Sequence, residues 1–226
     1  MKKALEAFGL GIGFMLVALI LQSAFETIPS GIALFSGFFL GGANPGAVPT
    51  INLAESPFLI PYAIFIGLLA GTMQESTKYV AVDSVNKRYA LLVGLGYSSV
   101  DITLILIGVL YLNHAMFQES FAILITLNII TSLFFHPGTA FILKWGALEE
   151  RKGVAFSISI LSHAAIDGGL VYADGVTLLS PSNGTLYSAI YWILVVIITA
   201  IIIITGIRLI RKSKENSAKV EEPVVF

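Results

Sequence analysis

Leu161-Ser162-His163-Ala164-Ala165-Ile166-Asp167-Gly168-Gly169 lies inside an apolar run that extends from Val154 to Tyr172. At about 1.5 Å per residue, a helical run of this length crosses the hydrocarbon layer of a bilayer. On that helix His163 and Asp167 are four residues apart and share one face, one turn apart. Ionisable groups at bilayer depth are rare and mark a functional site or an internal polar contact. The stretch therefore predicts a helical membrane bundle with polar groups on other helices facing this pair.

The rest of the chain agrees. Its 226 residues are 56% hydrophobic and only 12% charged, with a mean hydropathy of +0.88. Soluble domains carry about 25% charged residues. The expected fold is an all-α integral membrane protein, a bundle of about six transmembrane helices. It forms a single polytopic domain over 1–226, multi-pass in the cell membrane with lipid as its surroundings. The chain has no cysteine, which excludes disulfides, thiolate zinc sites and cysteine nucleophiles. A net charge of −1 gives no bulk electrostatic case for nucleic acid as a partner.

Six spans are expected: Leu5 to Ala24, Phe58 to Val82, Tyr89 to Leu112, Glu119 to Leu143, Val154 to Tyr172 and Leu186 to Leu209. The start Met1-Lys2-Lys3 and the small residues Ser23-Ala24 also suit a signal peptide, but the first apolar run is long enough to stay as a helix. Residues 25–57 hold Gly41-Gly42, Asn44-Pro45-Gly46 and Pro49, all turn signals. Their apolar part, Ile32 to Leu40, is too short to span and reads as a re-entrant or interfacial segment in an outer loop. Ser180-Pro181-Ser182-Asn183-Gly184 reads as a polar loop, and 211–226 as a flexible cytoplasmic tail.

Basic residues give the orientation. Lys2, Lys3, Lys87, Arg88, Arg151, Lys152, Arg208, Arg211, Lys212, Lys214 and Lys219 fall on one side of the six-span arrangement. The loops 25–57, 113–118 and 173–185 contain no Lys or Arg. Both termini are therefore expected in the cytoplasm. Asn183-Gly184-Thr185 on the outer side matches an N-glycosylation acceptor, a weak three-residue signal.

Topology then fixes depth. Counted from the nearest cytoplasmic helix end, Glu75 lies about 10 Å deep, Tyr97 and His136 about 12 Å, and His163 about 14 Å. Asp101 and Asp167 lie about one turn deeper. Four consecutive spans carry a polar group in one layer, so these groups are expected to line one site. Spans one and six carry no comparable group and are expected to pack outside it. Each residue also has a plain structural reading. Glu75 can pair with Lys78 one turn on, His163 with Asp167, and Asp101 with Ser98, Ser99 or Thr103. Tyr97 can be interior packing, and His136 can satisfy a carbonyl freed by Pro137.

Two imidazoles and three carboxylates suffice for a metal or an acid/base site. Zinc fits His136, His163 and one of Glu75, Asp101 or Asp167, with an open position for water. A metal-free site works as well, with Glu75 activating water and His163, oriented by Asp167, stabilising developing charge. No His-Glu-x-x-His helix is present. An unpaired Glu75 carboxylate would be costly to bury, so Glu75→Gln is expected to change stability little.

Four motifs occur in order: Ala70-Gly-Thr-Met-Gln-Glu-Ser-Thr-Lys78, Gly94-Leu-Gly-Tyr-Ser-Ser-Val-Asp101, Phe134-Phe-His-Pro137 and His163-Ala-Ala-Ile-Asp167. The set resembles that of the YhfC-type intramembrane metalloproteases, relatives of the CAAX-protease and bacteriocin-processing superfamily and of the PrsW-type proteases. The resemblance covers roughly Tyr62 to Gly169. It implies hydrolysis of peptide bonds within the membrane, acting on membrane-protein or peptide substrates, with zinc as the cofactor. It implies Glu75, His163 and Asp167 as catalytic residues and His136 and His163 as metal ligands, with Lys78, Tyr97 and Asp101 lining the site. Gln74 stands where the family has a first acid, and Tyr97 where it has a histidine. These departures raise a second possibility, a catalytically silent relative that binds or scaffolds membrane proteins. A third is a small ion-coupled transporter that uses Glu75, Asp101 and Asp167 as a proton relay, although no inverted repeat supports it.

Overall fold

The structure is a computed structural model and describes residues 1–40, 59–112 and 119–213. It is all-α over these residues. The helices are α1 (Lys2–Leu40), α2 (Leu59–Asp83), α3 (Ala90–Leu112), α4 (Glu119–Leu148), α5 (Lys152–Leu179) and α6 (Pro181–Lys212). A 3₁₀ turn, Lys87–Tyr89, leads into α3.

Five of the helices are long and apolar enough to cross a membrane. The exception is α2, whose 25 residues reach about 37 Å but include Gln74, Glu75 and Lys78, all buried. The pattern is inverted relative to a soluble protein. Leu161, Ile193 and Ile201 are more than half exposed, while Glu75 and Lys78 of α2 face inward. A surface of large apolar side chains suits lipid, and the polar interior explains why α2 is the least apolar helix.

Packing forms a closed ring in the order α1, α2, α5, α6, α4, α3 and back to α1. Contacts of α2 with α4, and of α4 with α5, cross the ring. Helices in lipid approach through small residues, and each strong contact here has one. Gly67 and Gly71 of α2 press on the backbone of α5 at Ala164 and Ile160, Gly94 of α3 on Pro137 of α4, and Gly206 of α6 on Gly138. A Cβ on Gly67 would sit 2.3 Å from the Ala164 carbonyl oxygen. Gly67→Ala is expected to destabilise the fold by about 1–3 kcal/mol by overpacking. Thermal unfolding in detergent checks this, and an unchanged midpoint would contradict so close an α2–α5 contact.

Several expected boundaries move. α1 continues past Ala24 to Leu40. The apolar stretch from Ile32 is thus the end of a continuous helix, not a separate re-entrant segment, and that helix runs through Pro29 and Gly31. The polar loop around Ser180 is almost entirely helical. α5 runs to Leu179 and α6 starts at Pro181, where a proline suits a first helical turn. Asn183 therefore lies in that turn rather than in a loop. Arg211 and Lys212 belong to α6, not to the tail. The rest of the expected outer loop (41–57), the loop 113–118 and the tail 214–226 lie outside the described residues.

The charged connection between α4 and α5 is a tight cap. Glu150 has φ 58°, and the Arg151 N–H donates to the Gly146 carbonyl at 2.8 Å. This is the six-to-one bond of a Schellman cap with Glu150 in the left-handed position usually held by glycine. Glu150→Gly is expected to raise stability by up to about 1 kcal/mol, read as a higher unfolding midpoint.

Candidate functional site

Gly67, Gly71 and Glu75 recur every fourth residue on α2, and Lys78 follows one turn on, so one stripe carries all four. The two glycines bring this stripe against α5. Glu75 then reaches across, and the His163 Nδ1–H donates to Glu75 Oε1 at 2.6 Å. The same oxygen accepts from Lys78 Nζ at 2.6 Å, and both side chains of that ion pair are 0% exposed. The plain reading of Glu75 with Lys78 and the functional reading with His163 therefore hold together.

α4 supplies the other partners of the ammonium. Lys78 Nζ meets His136 Nδ1 at 3.0 Å and donates to Thr139 Oγ1 at 2.9 Å. Its three protons are then all used. An ammonium can only donate, so His136 Nδ1 accepts, and the proton of that ring is on Nε2. His136 Nε2 faces Asp101 Oδ2 of α3 at 3.7 Å. This contact depends on the close approach of Gly94 to Pro137, since Gly94 and Asp101 share a face of α3 two turns apart. At the other end His163 Nε2 faces Asp167 Oδ2 at 3.5 Å. His136 thus turns its nitrogens to Lys78 and Asp101, not to a carbonyl freed by Pro137.

The six residues form an unbroken series: Asp101, His136, Lys78, Glu75, His163, Asp167. Its four inner members have side chains no more than 4% exposed, whereas Asp101 is 34% and Asp167 30% exposed. The two imidazole centroids are 5.6 Å apart. Phe135 meets the His163 ring edge-on at 5.2 Å and walls it on one side.

Tyr97 is fully buried but stands beside the series, not in it. Its hydroxyl donates to Thr77 Oγ1 at 2.9 Å, and its ring lies 4.8 Å from Lys78 Nζ. A cation–π contact in a desolvated setting holds the ammonium from the side that the hydrogen bonds leave open. Gln74 Nε2 donates to Gln22 Oε1 of α1 at 3.1 Å, and Gln22 Nε2 donates to Glu26 at 2.8 Å. α1 therefore does contribute to the polar layer. The expectation that span one carries no comparable group is corrected: Gln22 lies inside that span and Glu26 just beyond its expected end at Ala24.

Thr139, Thr77 and Gln22 are site residues that the sequence reading does not contain. Thr139 had a usable signal: it lies three residues after His136, on the same helix face. Two acceptor atoms beside the site are left over among the described residues. Glu75 Oε2 and Gln74 Oε1 are buried without a hydrogen-bond partner.

These donors, as arranged, do not fit a zinc ion. Zinc takes three or four donors at about 2.0–2.3 Å. His136 Nδ1 and Glu75 Oε1 are both turned to the Lys78 ammonium, and the further imidazole of the resembling family is Tyr97 here. No three His, Asp or Glu side chains among the described residues are grouped to hold a metal. The positive charge at the focus of the site is Lys78 itself.

No family model, curated protein or solved structure matches the chain. The resemblance to the YhfC-type proteases rests on the four ordered motifs alone.

Proposed function

We propose that the chain is a membrane-embedded hydrolase that cleaves peptide bonds of membrane-associated proteins or peptides, with Glu75 as the general base. The observation that carries this reading is Glu75 Oε2, a fully buried carboxylate oxygen with no hydrogen-bond partner among the described residues. A buried acceptor left unmade costs about 1–3 kcal/mol, and it persists most readily where a ligand satisfies it. A water held by Oε2 gives up its proton to that oxygen as it attacks the substrate carbonyl carbon. The proton then passes to the amide nitrogen as the carbon–nitrogen bond breaks. Lys78 and His163 hold the other oxygen, Oε1, and so fix the direction of Oε2. Asp167 orients His163, Asp101 orients His136, and Thr139 with His136 holds Lys78. Cleavage of a panel of synthetic transmembrane peptides co-reconstituted with the protein tests the reading. Wild type should generate products and Glu75→Gln should not; equal cleavage by both would remove Glu75 as base.

The same proposal takes α2 as a sixth span and puts both termini in the cytoplasm. Its support is the set of basic residues gathered at one end of the bundle. There Lys144 donates to the Val85 carbonyl and Lys87 to that of Ser213. The chain lacks cysteine, so single introduced cysteines report cleanly. An impermeant maleimide should label Asn86→Cys and Glu150→Cys only from inside, and Ser180→Cys only from outside. The reverse pattern would overturn the orientation.

A second reading is a catalytically silent relative that binds or scaffolds membrane proteins. It is favoured by the two departures from the family pattern, since Gln74 and Tyr97 both have local partners in Gln22 and Thr77. On that reading Glu75→Gln affects stability only, and no peptide is cut by either protein.

A further inference from the structure

A groove lies away from the polar series, between α3, α4 and α6. It encloses about 780 Å³, within the range of small-molecule sites. Its walls are apolar over most of their length, and Lys87, Arg88 and Arg211 are its only charged lining residues. The sequence explains the arrangement. On the α3 side Arg88, Leu91 and Leu95 follow one another at helical spacing, and on α6 Ile203, Ile207 and Ile210 lead up to Arg211. From both helices the lining thus runs from an arginine at the bundle end to aliphatic side chains deeper in. From Arg211 to Ile203 this is about 12 Å. The floor is shaped by two close approaches, Gly138 on Ile203 and Gly206 on Phe141.

The groove opens outward. Leu91, Leu133 and Phe134 on its walls are 40%, 40% and 47% exposed, and around five membrane-crossing helices the outward medium is lipid. Arg88 and Arg211 are both exposed at its end; the Arg88 guanidinium lies over the Tyr89 ring at 4.7 Å. Basic residues at the end of a membrane helix stand at headgroup level and attract anionic lipid.

We propose that this groove is a binding site for one anionic phospholipid, its phosphate held by Arg88 and Arg211 and one acyl chain laid along the α3–α4–α6 walls. The charge at the mouth and the apolar length behind it match a lipid and match no soluble anion. The site is independent of the hydrolase reading, since none of its residues belongs to the series around Glu75. Pro137 links the two regions: it lines the groove, and the residue before it is His136.

The test uses the full chain in nanodiscs of phosphatidylcholine with a minor fraction of phosphatidylglycerol. Lipids that stay with the protein on release are counted by native mass spectrometry. Phosphatidylglycerol should be retained with an enrichment on the order of tenfold over its bulk fraction, as two well-placed arginines allow. Arg88→Gln with Arg211→Gln should abolish the enrichment. Arg208→Gln with Lys212→Gln removes the same charge from the same helix end without touching the groove and should leave it intact. Leu95→Trp, which fills the apolar length but keeps both arginines, should also lose it. Equal loss in the two charge pairs would reduce the effect to diffuse attraction and overturn the site. Equal retention of phosphatidylcholine, or retention unaffected by Leu95→Trp, would overturn it too. Unfolding midpoints of each variant in pure phosphatidylcholine separate loss of binding from loss of fold.

Discussion

Lys78→Met is expected to destabilise the folded protein by about 3–5 kcal/mol, the largest effect of any single substitution in the polar series. Removing one member of a buried ion pair leaves the other charge uncompensated, and costs of this size are typical. Lys78 is more than half of a pair. Its ammonium joins Glu75 on α2 to His136 and Thr139 on α4, so its loss uncouples two helices, leaves His136 Nδ1 without its donor and leaves the Glu75 charge to His163 alone. The check is thermal unfolding in detergent micelles. A second variant decides the cause: Lys78→Met with Glu75→Gln removes both charges and should recover part of the loss, since a neutral pair of similar shape has no buried charge to neutralise. Losses that simply add would show that Lys78 and Glu75 are not energetically coupled, against the 2.6 Å contact between them.

Glu75→Gln is expected to lower the rate of peptide hydrolysis by about 10²–10⁴-fold, the usual worth of a positioned general base. The sequence alone suggested that this change would barely affect stability, on the premise that the buried carboxylate is unpaired. The structure corrects the premise. Glu75 is the partner of both Lys78 and His163, so Glu75→Gln should also cost stability, by up to about 3 kcal/mol. Rate and stability must therefore be measured on the same samples. The double variant with Lys78→Met again separates them, because it should regain stability without regaining cleavage. His163→Ala should be comparably damaging to the rate, and Asp167→Asn less so, since Asp167 reaches the reacting region only through His163 Nε2.

The grouping of the site residues is legible in the sequence, because a helix has a known rise and counting along it sets residues of neighbouring helices at one level. Counting along four spans put Glu75, Tyr97, His136 and His163 in one layer, and three of them meet through Lys78 and Glu75. The wiring was not legible. Lys78 looked like an ordinary neighbour of Glu75 one turn on, since spacing along a helix says nothing of what the opposite helix offers. Only the packed bundle tells which pairs of helices the glycines bring together. Gln22 and Glu26 were missed for a different reason. Gln22 lies inside the expected first span but is uncharged and has no marked neighbour, whereas Glu26 lies beyond its expected end at Ala24, where α1 continues for several turns. The polar residues around Ser180 carry loop composition, yet helix geometry absorbs them on either side of that single residue.

The most direct measurement of the central claim is hydrolysis in water enriched in oxygen-18, with the protein and transmembrane peptides reconstituted in the same vesicles. Each newly formed carboxyl terminus carries one labelled oxygen if a water activated at Glu75 Oε2 attacks the peptide carbonyl. Wild type should yield such termini, and Glu75→Gln, at matched folded fraction, should yield none above background. Labelled products formed equally by both proteins would contradict Glu75 as the base, and a wild type that forms none across the panel would leave the scaffold reading in its place.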